Sequence, residues 1–362
     1  MAAFHLVSFD RLRAAIRDLM QGFGSESQEI DLVADNLIEA NLTGHESHGI
    51  GMLPRYARAF LEGGLKPNMH AETRLDAGAL IALDGQAGFG QVIGRDSMQM
   101  GIERARQQGS CVVALANAHH LGRIGAWAEM AVAQGLVSVH FVNVISRPIV
   151  APFGGRDARF GTNPFAVGIP VPGREPFVLD IATSIIAQGK TRVAYNKGEA
   201  LAPGLLLDDQ GQPTTDPKFG VVDPLGALHT FGEHKGYGLA LACELLGGAL
   251  AGGLAVHEPG GTKQRVLNGM LTFLLDPARI ADAALFGPEM QDFLDWVRAS
   301  PPREGVDRVR VSGESERETR ARRLREGIPV DATTWNELLV ATASLGRDPQ
   351  EMNRLAGVEA GT

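Results

Sequence analysis

Apolar residues recur at helical spacing toward both ends of the chain. Near the start, this pattern predicts helices over residues 8–20, 25–41 and 52–61. After Pro288 the pattern is helical again, and more charged, over residues 289–298, 314–325 and 333–344. The two ends are therefore predicted to form one helical domain, made of residues 1–70 and 286–362.

The middle of the chain has a different pattern, in which short apolar runs alternate with helical segments. Strands are predicted at 79–83, 111–116, 137–144, 165–169, 177–181, 205–207 and 266–275, and helices at 91–108 and 124–134. This alternation indicates the α/β (α+β) class, with a sheet-containing domain at 71–285. The longest apolar run, 236–256, contains Glu244 and many glycines, so it predicts a buried helix rather than a membrane span.

Composition narrows the class of protein. Lys and Arg number 34 against 42 Asp and Glu, so the net charge of -8 provides no basic field for nucleic acid or an anionic membrane. The two cysteines, Cys111 and Cys243, lie in apolar surroundings and exclude a disulfide framework or a Cys-rich zinc site. Charged residues interrupt the first 20 residues, which favours an amphipathic helix over a signal peptide. A cytoplasmic location is expected.

One segment has the residues that proton transfer requires. Ser47 and His48 are adjacent, and Gly49 follows them near the end of a predicted helix. Histidine has the side chain whose ordinary pKa lies nearest neutrality, and a neighbouring hydroxyl can orient the ring. His45 lies three residues before His48, whereas zinc proteases of the HExxH type space their histidines four apart.

A second segment, 119–125, follows a predicted strand and precedes a helix. Backbone amides at such a helix start can hold a phosphate, and Arg123 adds a bidentate cation. Gly88, Gly90 and Gly94 superficially resemble a dinucleotide fingerprint. The third glycine comes one residue late, however, and no acidic residue closes a second strand about 20 positions on, so a Rossmann site is not expected there.

Asp180 ends an apolar strand, where it could cap a helix or bind a ribose hydroxyl or a catalytic histidine. Lys190 and the pair His234 and Lys235 add cations next to glycines, which suits anionic ligands.

Together these motifs resemble the type 2 malate/L-lactate dehydrogenase family over essentially the whole chain. The residues that carry the resemblance are His45, Ser47, His48, Gly49, His120, Gly122 and the segments 160–164, 180–184, 189–190, 213–217 and 234–238. The resemblance implies a non-Rossmann nicotinamide site on a mixed, largely antiparallel sheet, within a homodimer. It also implies NAD or NADP as cofactor, with NAD favoured, and no metal.

By the same resemblance, His48 donates the proton to the substrate carbonyl and Ser47 is its relay partner. Thr162 falls near the substrate. The implied cofactor residues are His120, Gly122, Arg123, Ile124, Val178, Leu179, Asp180, Ile181, Ala182, His234, Lys235, Gly313, Glu314, Ser315 and Glu316. Reduction of a 2-oxo acid also needs a cation facing the carboxylate. The candidates are Arg55, Arg123, Arg147 and Lys190, of which Arg55 and Lys190 are assigned to substrate binding.

Two positions depart from the family pattern. Met52 stands where several relatives carry an arginine that can grip a carboxylate, and Lys190 stands where a cyclic-imine reductase of the family has an acidic residue. The predicted function is NAD(P)-dependent interconversion of small 2-oxo and 2-hydroxy carboxylates. The alternatives are reduction of a cyclic-imine carboxylate, a binding protein without turnover, and a metal-dependent hydrolase or lyase with ligands among His45, His48, His119, His120 and Asp180.

Overall fold

The computed structural model describes residues 4–256 and 265–359. The strands are β1 (Phe4–Val7), β2 (Glu72–Ala77), β3 (Leu80–Asp84), β4 (Ser110–His119), β5 (Val137–Ile145), β6 (Phe165–Ile169), β7 (Phe177–Ile181), β8 (Leu206–Leu207), β9 (Pro213–Thr214), β10 (Ala227–Leu228), β11 (Leu267–Leu275) and β12 (Ile328–Asp331). The α-helices are α1 (Phe9–Gln21), α2 (Ser27–Leu42), α3 (Leu53–Leu61), α4 (Gly90–Gln108), α5 (Gly125–Val132), α6 (Gln188–Lys197), α7 (His234–Cys243), α8 (Ala283–Arg298), α9 (Glu314–Glu326), α10 (Ala332–Ser344) and α11 (Pro349–Ala356). Short 3₁₀ helices lie at Glu46–His48, Ile50–Met52, Pro217–Gly220 and Pro277–Arg279, and a π-helix lies at Glu244–Leu250.

The centre of the fold is a sheet of seven strands in the order β2-β3-β4-β11-β5-β6-β7. Only the β3–β4 pair is parallel, and the other pairs are antiparallel. The expected α/β (α+β) class with a mixed, largely antiparallel sheet is therefore confirmed. Because β11 separates β4 from β5 and β6 separates β5 from β7, strands β4, β5 and β7 all run in one direction. The loops that follow these three strands consequently meet at one edge of the sheet.

Alternating side chains pack one face of this sheet against α4 and α5. Val113 and Leu115 of β4, Val142 of β5 and Met270 and Leu274 of β11 belong to this cluster and are almost fully buried. A separate hydrophobic cluster joins α1, α2, α3, α10 and α11 with the β1–β12 ribbon, so both chain ends share a core. Phe89 and Val92 at the start of α4 also belong to that second cluster. The predicted division at residues 70 and 286 stays a prediction.

Several elements differ from the expectation. The ribbon of β1 and β12, the exposed edge strand β2, and helices α6 and α11 were not predicted. Their segments are too short or too polar to show a clear period. Helix α8 begins at Ala283 and contains Pro288, although a proline normally indicates a helix start.

The apolar run 236–256 is helical as far as Leu250, as predicted, although it is not an α-helix throughout. Helix α7 ends at Cys243 and a π-helix continues to Leu250. The π-turns bring Gly247 against the β5 backbone, where a Cβ would lie 2.5 Å from the Phe141 carbonyl oxygen. Of the helices that the structure describes, not one has the length and apolarity that crossing a membrane requires.

Candidate active site

A close backbone contact fixes the position of the Ser47–His48 pair. After α2 the chain makes a 3₁₀ turn over Glu46–His48, and Gly49 then packs on the Asn41 side chain, with which any Cβ would overlap. Asn41 Oδ1 accepts a hydrogen bond from Ile50 N at 2.8 Å. Only glycine fits at position 49, so the turn that presents His48 is held against α2.

Ser47 and His48 form a hydrogen-bonded pair, with Oγ 2.9 Å from Nδ1. Burial lowers the pKa of His48, the Asp180 carboxylate opposes that shift, and the positive charges of His45 and Arg123 add to it. A lowered pKa makes the protonated ring a stronger acid. Because Nδ1 is engaged by the hydroxyl, Nε2 is the nitrogen left to exchange a proton with a ligand.

The loop after β4 places a second imidazole beside His48. The His48 and His120 rings are stacked, with centroids 5.6 Å apart and planes 18° apart. His120 Nδ1 lies 2.7 Å from Tyr56 Oη, and that oxygen also accepts a hydrogen bond from Gln91 Nε2 at 3.0 Å. Burial lowers the pKa of His120 well below its usual value, and the charges of His48, His119 and Arg55 lower it further.

The same loop continues to Arg123, which is buried and forms an ion pair with Glu129. Gly125 N donates to Asp180 Oδ2 at 2.8 Å, so the carboxylate of β7 binds the start of α5. The capping function expected for Asp180 thus serves α5 and not the helix that follows β7 in the chain. Burial alone would lower the pKa of Arg123, but Glu129 and Asp180 more than offset it and the net shift is upward.

Three consecutive amides in this loop have no acceptor in the described part of the chain. Gly122, Arg123 and Ile124 donate no backbone hydrogen bond to any acceptor in residues 4–256 and 265–359. A run of free N–H groups at a helix start, with an arginine next to it, is a typical anion cradle. At the glycines of the other candidate fingerprint, neighbouring protein atoms occupy the space where a side chain would lie. A Cβ at Gly90 would overlap the His120 carbonyl oxygen, and one at Gly94 would lie 2.5 Å from Trp127 Cζ2.

Strand β7, the start of α9 and Glu129 of α5 border a cavity of about 420 Å³. Val178 N donates to Ser312 O at 3.3 Å, and Gly313, with φ 95°, is the N-cap of α9. Val178 and Glu316 both line the cavity, and Glu316 approaches His45 Nε2 at 3.5 Å. That hydrogen bond lowers the pKa of Glu316. Glu314 is instead held by Arg298 and Arg308 and lines a neighbouring cavity of about 740 Å³.

The expected substrate residues lie in different settings. The Thr162 carbonyl accepts both the N–H and the hydroxyl of Thr183, each at 2.9 Å. Lys190 is exposed in the first turn of α6, whose Gly189 lies next to Ser47. Arg55 is exposed and has no carboxylate within ion-pair distance in the described part of the chain, whereas Arg147 is paired with Asp223.

The expected cations at the start of α7 are held near the end of β7. Phe231 N donates to Thr183 O at 3.1 Å and Ile185 N to His229 O at 2.8 Å. His234 and Lys235 are exposed, and the His234 ring meets Phe153 with centroids 6.0 Å apart. Among the described residues, no hydrogen bond, ion pair or ring contact joins them to His48 or His120.

Sequence reasoning missed Tyr56, Gln91 and the buried Asn163–Glu244 pair. Tyr56 fits the apolar face of α3 and so resembles an ordinary core residue. A glutamine among the apolar residues of the first turn of α4 was the one signal available. Of the His, Cys, Asp and Glu side chains that the structure describes, no three are placed to bind one metal ion.

The geometry can be compared with known proteins. The profile of the malate/L-lactate dehydrogenase family matches residues 7–339, and the chain belongs to this family. It is an oxidoreductase acting on hydroxy acids, and its family uses a nicotinamide cofactor.

Two relatives and one solved structure show how similar this chain is to other proteins of the family. Hydroxycarboxylate dehydrogenase B of Escherichia coli K12 is 47% identical over 353 residues, which is 97% of each chain. An L-lactate dehydrogenase of Cupriavidus necator is 40% identical over 334 residues, 92% of this chain and 95% of the relative. The structure of a putative malate/lactate dehydrogenase from E. coli superposes with a TM-score of 0.93 at 46% identity, covering 98% of this chain and 99% of that one.

Proposed function

We propose that this protein interconverts small 2-oxo and 2-hydroxy carboxylates with NAD(H) or NADP(H), and that His48 carries the proton. The observation that carries the proposal is the position of His48. It is hydrogen-bonded to Ser47, and its ring stacks on that of His120. The loop that contains His120 continues to three amides without acceptors, which precede α5. A general acid and an anion cradle at one sheet edge are the two parts that carbonyl reduction by a bound dinucleotide requires.

The residues of the loop and of β7 fit a dinucleotide. The amides of Gly122 to Ile124, with Arg123 behind them, suit the pyrophosphate, and Asp180, Glu316 and the cavity beside Val178 suit a ribose and its base. The first turns of α7 and α9 complete the proposed cradle. Four glutamates line the cavity, Glu39, Glu129, Glu175 and Glu316, and its three arginines are already paired: Arg174 with Asp295, Arg317 with Glu175 and Arg320 with Glu39. These carboxylates disfavour a 2′-phosphate, so we propose NAD as the preferred cofactor.

When bound, a nicotinamide supplies or accepts the hydride. Ser47 orients the His48 ring through Nδ1, and Nε2 of the protonated ring gives its proton to the carbonyl oxygen as that oxygen becomes an alkoxide. Arg55 and Lys190 are the proposed partners of the substrate carboxylate, because both are exposed and adjoin residues of the site: Arg55 precedes Tyr56, which contacts His120, and Lys190 follows Gly189, which lies next to Ser47. Lys190 is cationic, which disfavours the cyclic-imine alternative with its acidic residue at this position.

The proposal is tested by following NADH and NADPH oxidation by the purified protein across a panel of 2-oxo acids, with a chelator present. We expect turnover of at least one acid, with NADH used at the lower KM. A protein that turns over none of them, and gains another activity only when metal is restored, would contradict the proposal.

The pH profile should depend on Asp180. Its carboxylate raises the pKa of His48 against the effect of burial, so Asp180→Asn should lower that pKa further. Carbonyl reduction needs the protonated ring, and the fall of kcat/KM on the alkaline side should therefore move to lower pH. Asparagine keeps an oxygen that can accept from Gly125 N.

The matched control for this pH profile is Asp223→Asn, which removes an exposed carboxylate paired with Arg147. Its profile should coincide with that of the wild type. A shift to higher pH in Asp180→Asn, or none, would show that Asp180 does not act on His48.

We also propose a cytoplasmic homodimer. Cys111 and Cys243 are both buried free thiols, which fits a reducing compartment, and burial raises the pKa of Cys111 to about 11 and of Cys243 to about 12, so both stay protonated. The sheet face opposite α4 and α5 has an apolar surface that includes Phe273 of β11, which is 42% exposed. The π-helix on the same face exposes Leu245 and Leu250. A second copy of this chain covering this face would bury these side chains.

Phe273→Glu should therefore yield a monomer in size-exclusion chromatography with light scattering, whereas the wild type elutes as a dimer. A charge in the centre of an apolar interface must be desolvated without a partner. Trp296→Glu is the matched control, since Trp296 is an exposed aromatic residue on α8. Dissociation by the control and not by Phe273→Glu would place the interface elsewhere.

A further inference from the structure

We propose that Tyr56 and Gln91 are positioning residues that fix His120 as the tautomer protonated on Nε2, so that His120 presents a permanent hydrogen-bond donor beside the proton donor His48. The proposal rests on the proposed function for its catalytic meaning, but the tautomer itself can be measured without any turnover.

With the Gln91 amide oriented as in this structure, its nitrogen next to Tyr56 Oη and its buried oxygen without a partner among the described residues, the tautomer follows from counting hydrogens along one series of contacts. The Gln91 amide nitrogen donates to Tyr56 Oη at 3.0 Å. A phenol has one hydrogen, and among the described residues the other hydrogen-bond partner of Tyr56 Oη is His120 Nδ1 at 2.7 Å. Tyr56 therefore donates to Nδ1. A neutral imidazole that accepts at Nδ1 bears its proton on Nε2.

Burial keeps Tyr56 and His120 in the protonation states that these hydrogen bonds require. Tyr56 is fully buried and Gln91 is 2% exposed. Burial raises the pKa of Tyr56, so the phenol keeps its hydrogen, and burial lowers the pKa of His120, so the ring stays neutral. Near neutral pH, therefore, neither deprotonation of Tyr56 nor protonation of His120 disturbs the hydrogen-bonded arrangement.

The packing around Tyr56, Gln91 and His120 leaves these residues little freedom to rearrange. The His119 ring packs edge-on against the Tyr56 ring, with centroids 5.1 Å apart and planes 83° apart. The Phe89 ring also contacts the Tyr56 ring, with centroids 6.1 Å apart. Gly90, the residue before Gln91, is in such close contact with the His120 carbonyl that a Cβ there would overlap it. The start of α4 and the His120 backbone are thus fixed relative to one another.

Two stacked imidazoles then have different functions. His48 binds Ser47 through Nδ1 and His120 binds Tyr56 through Nδ1, so each ring has Nε2 left for a ligand. His48 can gain and lose a proton at Nε2, whereas the neutral His120 ring donates a hydrogen bond from its own Nε2. A fixed neutral donor next to a general acid suits a carbonyl oxygen that becomes negative during reduction.

The experiment is long-range ¹H–¹⁵N NMR of the full-length protein labelled with ¹⁵N-histidine, without cofactor or substrate, at neutral pH. The His120 signals are assigned by their loss in His120→Gln. We expect a wild-type spectrum in which Nε2 of His120 is protonated and Nδ1 is not. Tyr56→Phe keeps the packing and removes the hydroxyl, so its His120 signals should shift toward a mixture of tautomers. Tyr195→Phe, on the exposed surface of α6, is the control and should leave the His120 signals in place.

Kinetics supply a second readout. Tyr56→Phe should lower kcat for 2-oxo acid reduction, by up to about 10³-fold, the cost of losing one donor to an oxyanion, with little change in the Kd of NADH. An Nδ1-protonated His120 in the wild type, or identical spectra for wild type and Tyr56→Phe, would overturn the tautomer proposal even in an active dehydrogenase. A protein without turnover that shows the expected spectrum would instead contradict the proposed function alone.

Discussion

Replacing His48 by alanine is expected to lower turnover of 2-oxo acids by about 10²–10⁴-fold, the usual contribution of a general acid. NADH should bind with nearly unchanged affinity, because the amides of Gly122 to Ile124 and the cavity beside Val178 are not altered. The two quantities are measured separately, kcat from NADH oxidation and Kd from the fluorescence of bound NADH.

Two further variants refine this result. Ser47→Ala keeps the ring and removes only the hydroxyl at 2.9 Å, so it should cost less than loss of His48. His70→Ala removes an exposed histidine paired with Asp96 and should change neither kcat nor Kd. An unchanged rate in His48→Ala would assign the acid to another group.

Glu244→Ala is expected to reduce the free energy of unfolding by about 2–6 kcal/mol, at about 1–3 kcal/mol for each of two donors that lose a close acceptor. These are the buried Asn163 Nδ2, 2.7 Å from Oε2, and the half-buried Val256 N, 2.6 Å from Oε1. A third donor, Asn143 Nδ2, lies farther away, 3.4 Å from Oε1, and keeps Leu254 O as an acceptor. Urea unfolding at one fixed protein concentration measures the change. Since Asn163 follows Thr162, part of the loss should also appear as a weaker kcat/KM.

The control is Glu199→Ala, an exposed glutamate after α6, which should change the unfolding free energy by less than about 0.5 kcal/mol. A Glu244→Ala protein as stable as this control would show that water replaces the carboxylate in binding Asn163 and Val256.

Part of the site could not be predicted, because its buried polar residues come from segments that are distant in sequence. His48, Ser47 and the 120–124 loop have recognisable local patterns, because their chemistry depends on neighbours in the chain. Tyr56, Gln91 and His120 come from α3, α4 and the loop after β4, and no sequence spacing relates them. The Glu244–Asn163 contact spans 81 positions and requires a π-helix, whose period the run 236–256 does not display.

Several properties of the protein follow from the sequence alone. Periodicity located strands β3, β4, β5, β6, β7 and β11 and helices α1, α2, α3, α4, α5, α9 and α10. Motifs identified the family, which the comparisons confirm. Tertiary structure alone decided that β11 lies between β4 and β5, that Asp180 binds the start of α5, and that His48 stacks on His120. The physical reason is that a local pattern reflects which face of an element is buried, whereas partners distant in sequence are chosen by packing and hydrogen bonding in the folded chain.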